Sequence, residues 1–342
     1  MYSLIRQLLF CLPTEVSHRV SLAALDVATQ LKIVRPLKQS TAAPIKVMGL
    51  EFPNRIGLAA GLDKDAEHID GLAALGFGFL EIGTVTPLPQ LGNPKPRLFR
   101  LTSAEAIINR MGFNNKGVLH ALARIENARY NGVLGINIGK NKDTPPERAV
   151  EDYVTCMRQA YSAASYITVN LSSPNTPGLR DFQFGEPLQR LLETLKEQQR
   201  GLAAEHGCYK PLLVKIAPDL AVDDIVQLGQ VFLQLQIDGV IATNTTVRRE
   251  AVQQLKHGTE AGGLSGRPLA QRSTEVIQTL YAELGSNIPI IASGGVMDIA
   301  TAEQKFHAGA QLLQLYTGFI YSGAPLVRAL VQRFGPASSP NL

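Results

Sequence analysis

Eight short apolar runs, separated by stretches of helical periodicity, constrain the fold of this 342-residue chain more than any other feature. The runs are Ile56–Ala60, Phe79–Thr84, Val133–Ile138, Tyr166–Asn170, Leu212–Ile216, Gly239–Asn244, Ile290–Ser293 and Gln311–Thr317. Between them, Ala66–Leu75, Val150–Ala163, Leu188–Glu205, Val222–Leu235, Arg272–Leu284 and Ile299–Ala308 carry helical patterns. Strands that alternate with helices imply a parallel sheet. Eight such units over this length predict an α/β fold, a (β/α)8 barrel. A doubly wound open sheet is the main alternative. No G-x-G-x-x-G follows the first strand and no G-x-x-x-x-G-K-[ST] occurs, which weakens its dinucleotide and P-loop versions. Val47–Phe52 and Arg97–Leu101 read as extra strands that cap the barrel bottom or flank its mouth.

Residues 1–40 read as a separate unit, with the barrel over 41–342. Leu4, Ile5, Leu8, Leu9 and Leu12 recur at helical spacing, and a second series runs from Val16 and Val20 to Leu31. The pattern predicts two amphipathic helices that turn at Pro13, the second starting near Thr14 and stopped by Pro36. Arg6, Arg19, Lys32, Arg35 and Lys38 against Glu15 and Asp26 give this segment +3 of the chain's net +4. A basic amphipathic pair lies in a membrane interface or packs as a cap on the main domain. Pattern alone weighs the two equally.

Composition excludes several classes. No apolar run reaches the ~18 residues of a membrane span. The N-terminus lacks a small-residue cleavage site, which argues against a secretory signal. Lys and Arg form no dense cluster, so nucleic acid is not an expected partner. Cys11, Cys156 and Cys208 are isolated, with no ligand spacing for a metal and no disulfide framework.

Barrel chemistry concentrates at the C-terminal strand ends, and here those ends are polar. The first runs into Gly61-Leu62-Asp63-Lys64-Asp65, and the fourth into Asn170-Leu171-Ser172-Ser173-Pro174-Asn175. Gly262 to Gly266, Gly294-Gly295 and Thr317-Gly318 supply turns whose N–H groups suit a phosphate. Lys215 lies inside an apolar strand, where an unpaired ammonium is costly. It meets an anion or electron-rich ring, or serves as a Schiff-base nucleophile; the charge-stabilising role is favoured. Asn137 and Asn170 sit in strands that asparagine disfavours. With Asn109, Asn175 and Asn244 they suit a planar ligand with amide-like edges. No G-x-S-x-G elbow supports a hydrolase. The six histidines fall mostly in helical stretches, which gives a His-based acid/base mechanism little support.

Nine ordered motifs carry a resemblance. They include Ala59 to Asp65, Glu81 to Pro87, Asn109-Arg110-Met111-Gly112-Phe113-Asn114-Asn115, Gly135 to Asn141, Asn170 to Gly178 and Val214 to Asp219. Ala242 to Thr246, Gly262 to Pro268 and Tyr316-Thr317-Gly318 complete the set. Over nearly its whole length the chain resembles the class 2, quinone-dependent dihydroorotate dehydrogenases. The resemblance implies one FMN per chain in a (β/α)8 barrel and oxidation of dihydroorotate to orotate in pyrimidine synthesis. It also implies electron transfer to a membrane quinone.

By the same resemblance Ser173 is the base that takes the C5 proton while hydride leaves C6 for the flavin. Ala60, Gly61, Leu62, Asp63, Lys64, Thr84, Asn137, Asn170, Lys215, Thr243, Gly266, Gly295, Tyr316 and Thr317 match FMN contacts. Lys215 would stabilise negative charge on the flavin. Lys64, Asn109, Arg110, Met111, Gly112, Phe113, Asn170, Asn175, Asn244 and Thr245 match substrate contacts. His18, Arg100 and Tyr316 match a quinone site formed with the extension. Serine rather than cysteine at 173, together with that extension, selects class 2. The implied location is peripheral, on the cytoplasmic face of a bacterial plasma membrane, docked through residues 1–40. Two rivals remain, another FMN barrel oxidoreductase and a membrane-surface scaffold. The first predicts loss of the Asn109–Asn115 segment or a cysteine at 173, and the second does not require a polar rim.

Overall fold

A computed structural model describes residues 2–34, 43–176 and 178–335. Arg35, Pro36, Lys38 and Pro177, and the expected boundary at 40/41, lie outside the described residues. The strands are β1 (Ile45–Val47), β2 (Leu50–Phe52), β3 (Ile56–Leu58), β4 (Phe79–Val85), β5 (Leu98–Leu101), β6 (Ala106–Asn109), β7 (Val133–Ile138), β8 (Tyr166–Asn170), β9 (Leu212–Ile216), β10 (Gly239–Ala242), β11 (Gly263–Gly266), β12 (Ile290–Ser293) and β13 (Leu312–Leu315). The helices are α1 (Tyr2–Phe10), α2 (Thr14–Gln30), α3 (Ile69–Ala73), α4 (Val118–Glu126), α5 (Ala149–Ala160), α6 (Gly185–His206), α7 (Val222–Gln234), α8 (Ala270–Leu284), α9 (Ile299–His307) and α10 (Thr317–Phe334).

The eight expected runs, β3, β4, β7, β8, β9, β10, β12 and β13, close into a parallel barrel. Their side chains are buried because helices cover the outside and the strands cover one another inside. Val47–Phe52 is a hairpin rather than one strand, turning at Met48-Gly49. It plugs the barrel bottom: Phe52 meets Phe79 edge-on at 5.2 Å and packs with Tyr166, Leu213 and Ile291. Gly57 and Gly135 make room for this layer. A Cβ on Gly57 would lie 2.3 Å from the Phe79 ring, and one on Gly135 2.2 Å from the Tyr166 ring.

At the opposite end β5, β6 and β11 form an antiparallel sheet beside the mouth. Gly262 to Gly266 was expected as a turn; Gly263–Gly266 is instead a strand paired with Ala106–Asn109. Its glycines admit the close approach, since a Cβ on Gly263 would lie 1.9 Å from Thr245 Oγ1. Helices α4 and α10 and strands β6 and β11 were not anticipated. The α4 signal was present, with Val118, Ala121, Leu122 and Ile125 on one stripe.

The extension forms two helices, as expected, and docks on the barrel. Tyr2 donates its hydroxyl to the Ile320 carbonyl at 2.7 Å, and Phe10 meets Tyr321 edge-on. Asp26 of α2 pairs with His68 at 2.6 Å. Arg97, nearly buried, donates Nε to Glu15 Oε1 at 3.0 Å and Nη2 to Oε2 at 3.3 Å. Burial pushes the Glu15 carboxyl up, but hydrogen bonds and charge from Arg97 and Lys95 outweigh it and hold the group below its ordinary 4.5. A depressed carboxylate contributes stability above its unfolded pKa and loses it as pH falls through the folded value. Glu15→Gln is therefore expected to cost about 1–3 kcal/mol at neutral pH. The gap between variant and wild-type melting temperatures should shrink as the pH drops below the ordinary glutamate value. A gap that is constant with pH would count against the pair.

Candidate active site

The strand ends surround a cleft of about 970 Å³, including the part open to solvent. The structure brings most of the expected residues to its wall. Ala60, Gly61, Lys64, Thr84, Asn170, Lys215, Thr243, Gly266, Gly295, Tyr316 and Thr317 line it. So do Asn109, Met111, Gly112, Phe113, Ser173, Asn175, Asn244 and Thr245. Four expected residues lie elsewhere. Arg110 turns away to Glu260 at 2.7 Å and stacks over Phe99. Asp63 is buried behind the wall, where it accepts the backbone N–H groups of Glu67 and His68. Leu62 faces the second cavity described below. Asn137 stands one layer beneath the cleft, accepting from Thr84 Oγ1 at 2.6 Å.

Asn137 belongs to a polar layer that crosses the barrel interior below the cleft. At its centre Glu81 is fully buried. It accepts from Asn137 Nδ2 at 2.9 Å, Gln314 Nε2 at 2.7 Å, the Tyr166 hydroxyl at 3.0 Å and Thr168 Oγ1 at 3.2 Å. Four donors offset the cost of a buried carboxylate. Glu81 and Gln314 were missed by sequence reasoning, although each interrupts an apolar run.

Above this layer stands Lys215, with no hydrogen-bond partner for its Nζ among the described residues. Burial pulls its ammonium below the ordinary lysine value, and the charge on Glu81 acts against that shift. Lys64, across the cleft, is drawn down to about 8 by burial, with Asp65 opposing. Two cations thus face one cavity. The Gln314 carbonyl oxygen, on the same wall, is buried without a partner among the described residues.

The amides are tied into a network that fixes their faces. Asn170 donates to Thr84 Oγ1 at 3.0 Å and Asn137 Oδ1 at 3.2 Å. Asn244 donates to Ser172 Oγ at 3.0 Å, and Asn175 Nδ2 to Asn109 Oδ1 at 3.3 Å. Ser173 is buried, and its Oγ accepts the Asn175 backbone N–H at 3.2 Å. A donor on that oxygen favours its deprotonated form. Ser265 and Ser293, also on the wall, were not anticipated as site residues; Thr317 donates to Ser265 Oγ at 2.8 Å.

A second cavity, about 650 Å³ with its open part, lies between the extension and the barrel. Leu9, Phe10, Leu22, Leu62, Leu98, Ile107 and Ile320 make it largely apolar. His18, Arg100 and Tyr316 all line it, and Tyr316 lines the first cavity too. Burial and the nearby Lys64 charge drive His18 down to about 3, so its ring is neutral. Arg100 donates to Thr14 Oγ1 and the Leu12 carbonyl, and stacks over Phe10 at 4.5 Å. Its Nη1 is buried with no partner among the described residues.

A family model described as dihydroorotate dehydrogenase matches residues 42–335. The chain is similar to "Dihydroorotate dehydrogenase (quinone)" of Pseudomonas paraeruginosa, 56% identical over 332 residues and covering 97% of each chain. The protein of the same name from Marinobacter nauticus is 56% identical over 333 residues, covering 97% of this chain and 98% of its own. Among solved structures, DHODH from Eimeria tenella in complex with ferulenol superposes with a TM-score of 0.86 at 36% identity, over 93% of this chain and 89% of that one. The barrel agrees with the superposed structure, and the chain belongs to the dihydroorotate dehydrogenase family.

Proposed function

We propose that this chain oxidises dihydroorotate to orotate with FMN in the first cavity and hands the electrons to a quinone in the second. The carrying observation is that a polar, cationic cleft and an apolar cavity share one wall residue, Tyr316. The residues fit an FMN. Gly294 and Gly295 hold left-handed backbone in a turn on the cleft wall, Lys215 faces the cleft with no hydrogen-bond partner among the described residues, and the buried Gln314 oxygen likewise has none among them. Bound FMN supplies a hydride acceptor.

The protein's own residues do the rest. Asn109, Asn175 and Asn244 present amide donors and acceptors to a planar ring; the Asn175–Asn109 bond and the Asn244–Ser172 bond pre-set those faces. Lys64 presents a positive charge to the substrate carboxylate. Ser173 Oγ takes the C5 proton as its own hydroxyl hydrogen passes out to solvent at the open side of the cleft, and the Asn175 N–H steadies the oxygen while that hydrogen leaves. Lys215 meets the negative charge that hydride transfer brings, in a site where burial magnifies its effect. The extension supports peripheral docking. Leu8 is 74% and Ile33 71% exposed, and Leu4 and Leu31 add to an apolar face on a basic segment. No helix among the described residues is long and apolar enough to cross a membrane. The cytoplasmic face of a bacterial plasma membrane is the location that fits this reading.

The test is anaerobic. The purified chain should be yellow, bleach on addition of dihydroorotate, and recover its colour with a quinone analogue far faster than with fumarate or NAD. A chain lacking residues 1–34 should still bleach but lose most quinone turnover and vesicle binding. A colourless folded protein would sink the flavin reading, and intact quinone kinetics in the truncated chain would sink the role of the extension.

Lys64 gives a pH prediction. Its ammonium is charged below about pH 8 and neutral above it. Orotate, an anion, should therefore bind more weakly as pH rises past that value. Lys64→Met should weaken it about 10–100-fold at neutral pH and flatten the dependence. Spectral titration of the flavin reads both, and a steep pH dependence surviving in the variant would assign it to another group.

A further inference from the structure

Lys305, on α9, plays no part in the chemistry above, yet none of its surface is exposed. Its Nζ reaches the first turn of α8 and meets three oxygens. These are the Ala270 carbonyl at 2.6 Å, Thr274 Oγ1 at 2.7 Å and Ser273 Oγ. Both hydroxyls have committed their hydrogens elsewhere: Ser273 to the Gly294 carbonyl at 2.7 Å, Thr274 to the Ala270 carbonyl at 2.9 Å. They have only lone pairs left for Lys305. Three acceptors need three N–H bonds, which an ammonium has and a neutral amine lacks. Only an ammonium satisfies all three with those hydroxyl bonds kept, so the arrangement favours Lys305 as a cation. Burial opposes this and pulls the group down to about 7, and no carboxylate among the described residues pairs with it. A buried cation without a counter-charge is costly.

The missing negative charge has a place to sit. Gly294, whose carbonyl Ser273 holds, and Gly295 form the turn after β12 and line the first cavity. A Cβ on Gly295 would fall 2.2 Å from Ala270 Cα, so the turn rests directly on the helix start that Lys305 grips. Thr317 and Gly318, at the start of α10, complete the same wall.

We infer that Lys305 is a positioning residue for the phosphate of the bound flavin nucleotide, acting from behind the Gly294-Gly295 turn. It braces that turn and the start of α8, and it supplies the full positive charge that backbone N–H groups lack. This rests on the FMN reading and adds to it a residue that does not touch the ligand.

A merely structural lysine would not distinguish FMN from riboflavin, which carries the same ring without the phosphate. The full chain, with its flavin exchanged, should be titrated with each by fluorescence quenching. Lys305→Met should lose about tenfold or more of the wild-type preference for FMN, with riboflavin affinity within about threefold of wild type. Lys305→Arg should keep most of the preference. Equal weakening of both flavins, or weakening of neither, overturns the inference. If Lys305→Met does not fold, 15N spectra of lysine-labelled wild type decide. The Lys305 Nζ signal, assigned with Lys305→Arg, should move when riboflavin replaces FMN, and a static signal overturns the inference. Wild type that takes up neither flavin defeats the FMN reading itself, whereas wild type with normal FMN preference and an unaltered methionine variant defeats this inference alone.

Discussion

Ser173→Ala is expected to slow reduction of the bound flavin by dihydroorotate about 10²–10⁴-fold, the range of a lost general base. The flavin spectrum and its stoichiometry should stay as in wild type. Ser173 is buried on the cleft wall, and its Oγ takes one hydrogen bond from the Asn175 backbone. Nothing else among the described residues hydrogen-bonds that oxygen, so its hydrogen and remaining lone pair are left for a ligand. Removing one hydroxyl should leave the Asn170–Asn244–Ser172 network in place, because that network does not pass through Ser173. Stopped-flow bleaching at neutral pH separates the cases. A near-normal rate would reassign the base, and a loss of orotate affinity equal to the loss of rate would make Ser173 a binding group instead.

Lys215→Met should also be severe, about 10²–10³-fold in the rate of flavin reduction, the scale of one lost charge-stabilising donor. Methionine keeps most of the stem volume, so the barrel should still close. What disappears is the cation that stands above Glu81. In wild type, burial weakens the Lys215 ammonium and the Glu81 carboxylate opposes the shift. In the variant the Glu81 carboxylate lies below the cleft without the Lys215 charge above it, and should disfavour negative charge on the flavin. The reduction potential should therefore fall along with the rate, a signature that simple loss of packing would not produce. An unchanged potential would show that Lys215 acts by shape.

Much of this architecture is legible in the sequence because it is set by local geometry. Val133–Ile138, Tyr166–Asn170, Leu212–Ile216 and Ile290–Ser293 form strands over the predicted residues. Apolar runs of that length between helical stripes have few other ways to be buried. Polar residues at the ends of such strands fall at one barrel rim by topology alone, which is why Lys215, Asn170 and Thr243 reach the cleft. The β6–β11 pairing was not legible. Gly-Leu-Ser-Gly has no strand propensity, and its partner lies over 150 residues away.

The alternation of elements, the polar strand ends and the amphipathic extension are local patterns along the chain, and the ordered motifs carry the family resemblance. Where individual side chains point depends on contacts between distant parts of the chain. Arg110 sits in a matching motif but is claimed by Glu260, and Asn137 by Glu81. Gln314 meets Glu81 across 233 positions of chain, and Tyr316 becomes the wall between two cavities only when the extension folds back. Periodicity is a property of neighbours along the chain. A buried polar group takes whichever partner the fold brings within hydrogen-bond reach, and that partner's address is not written near it.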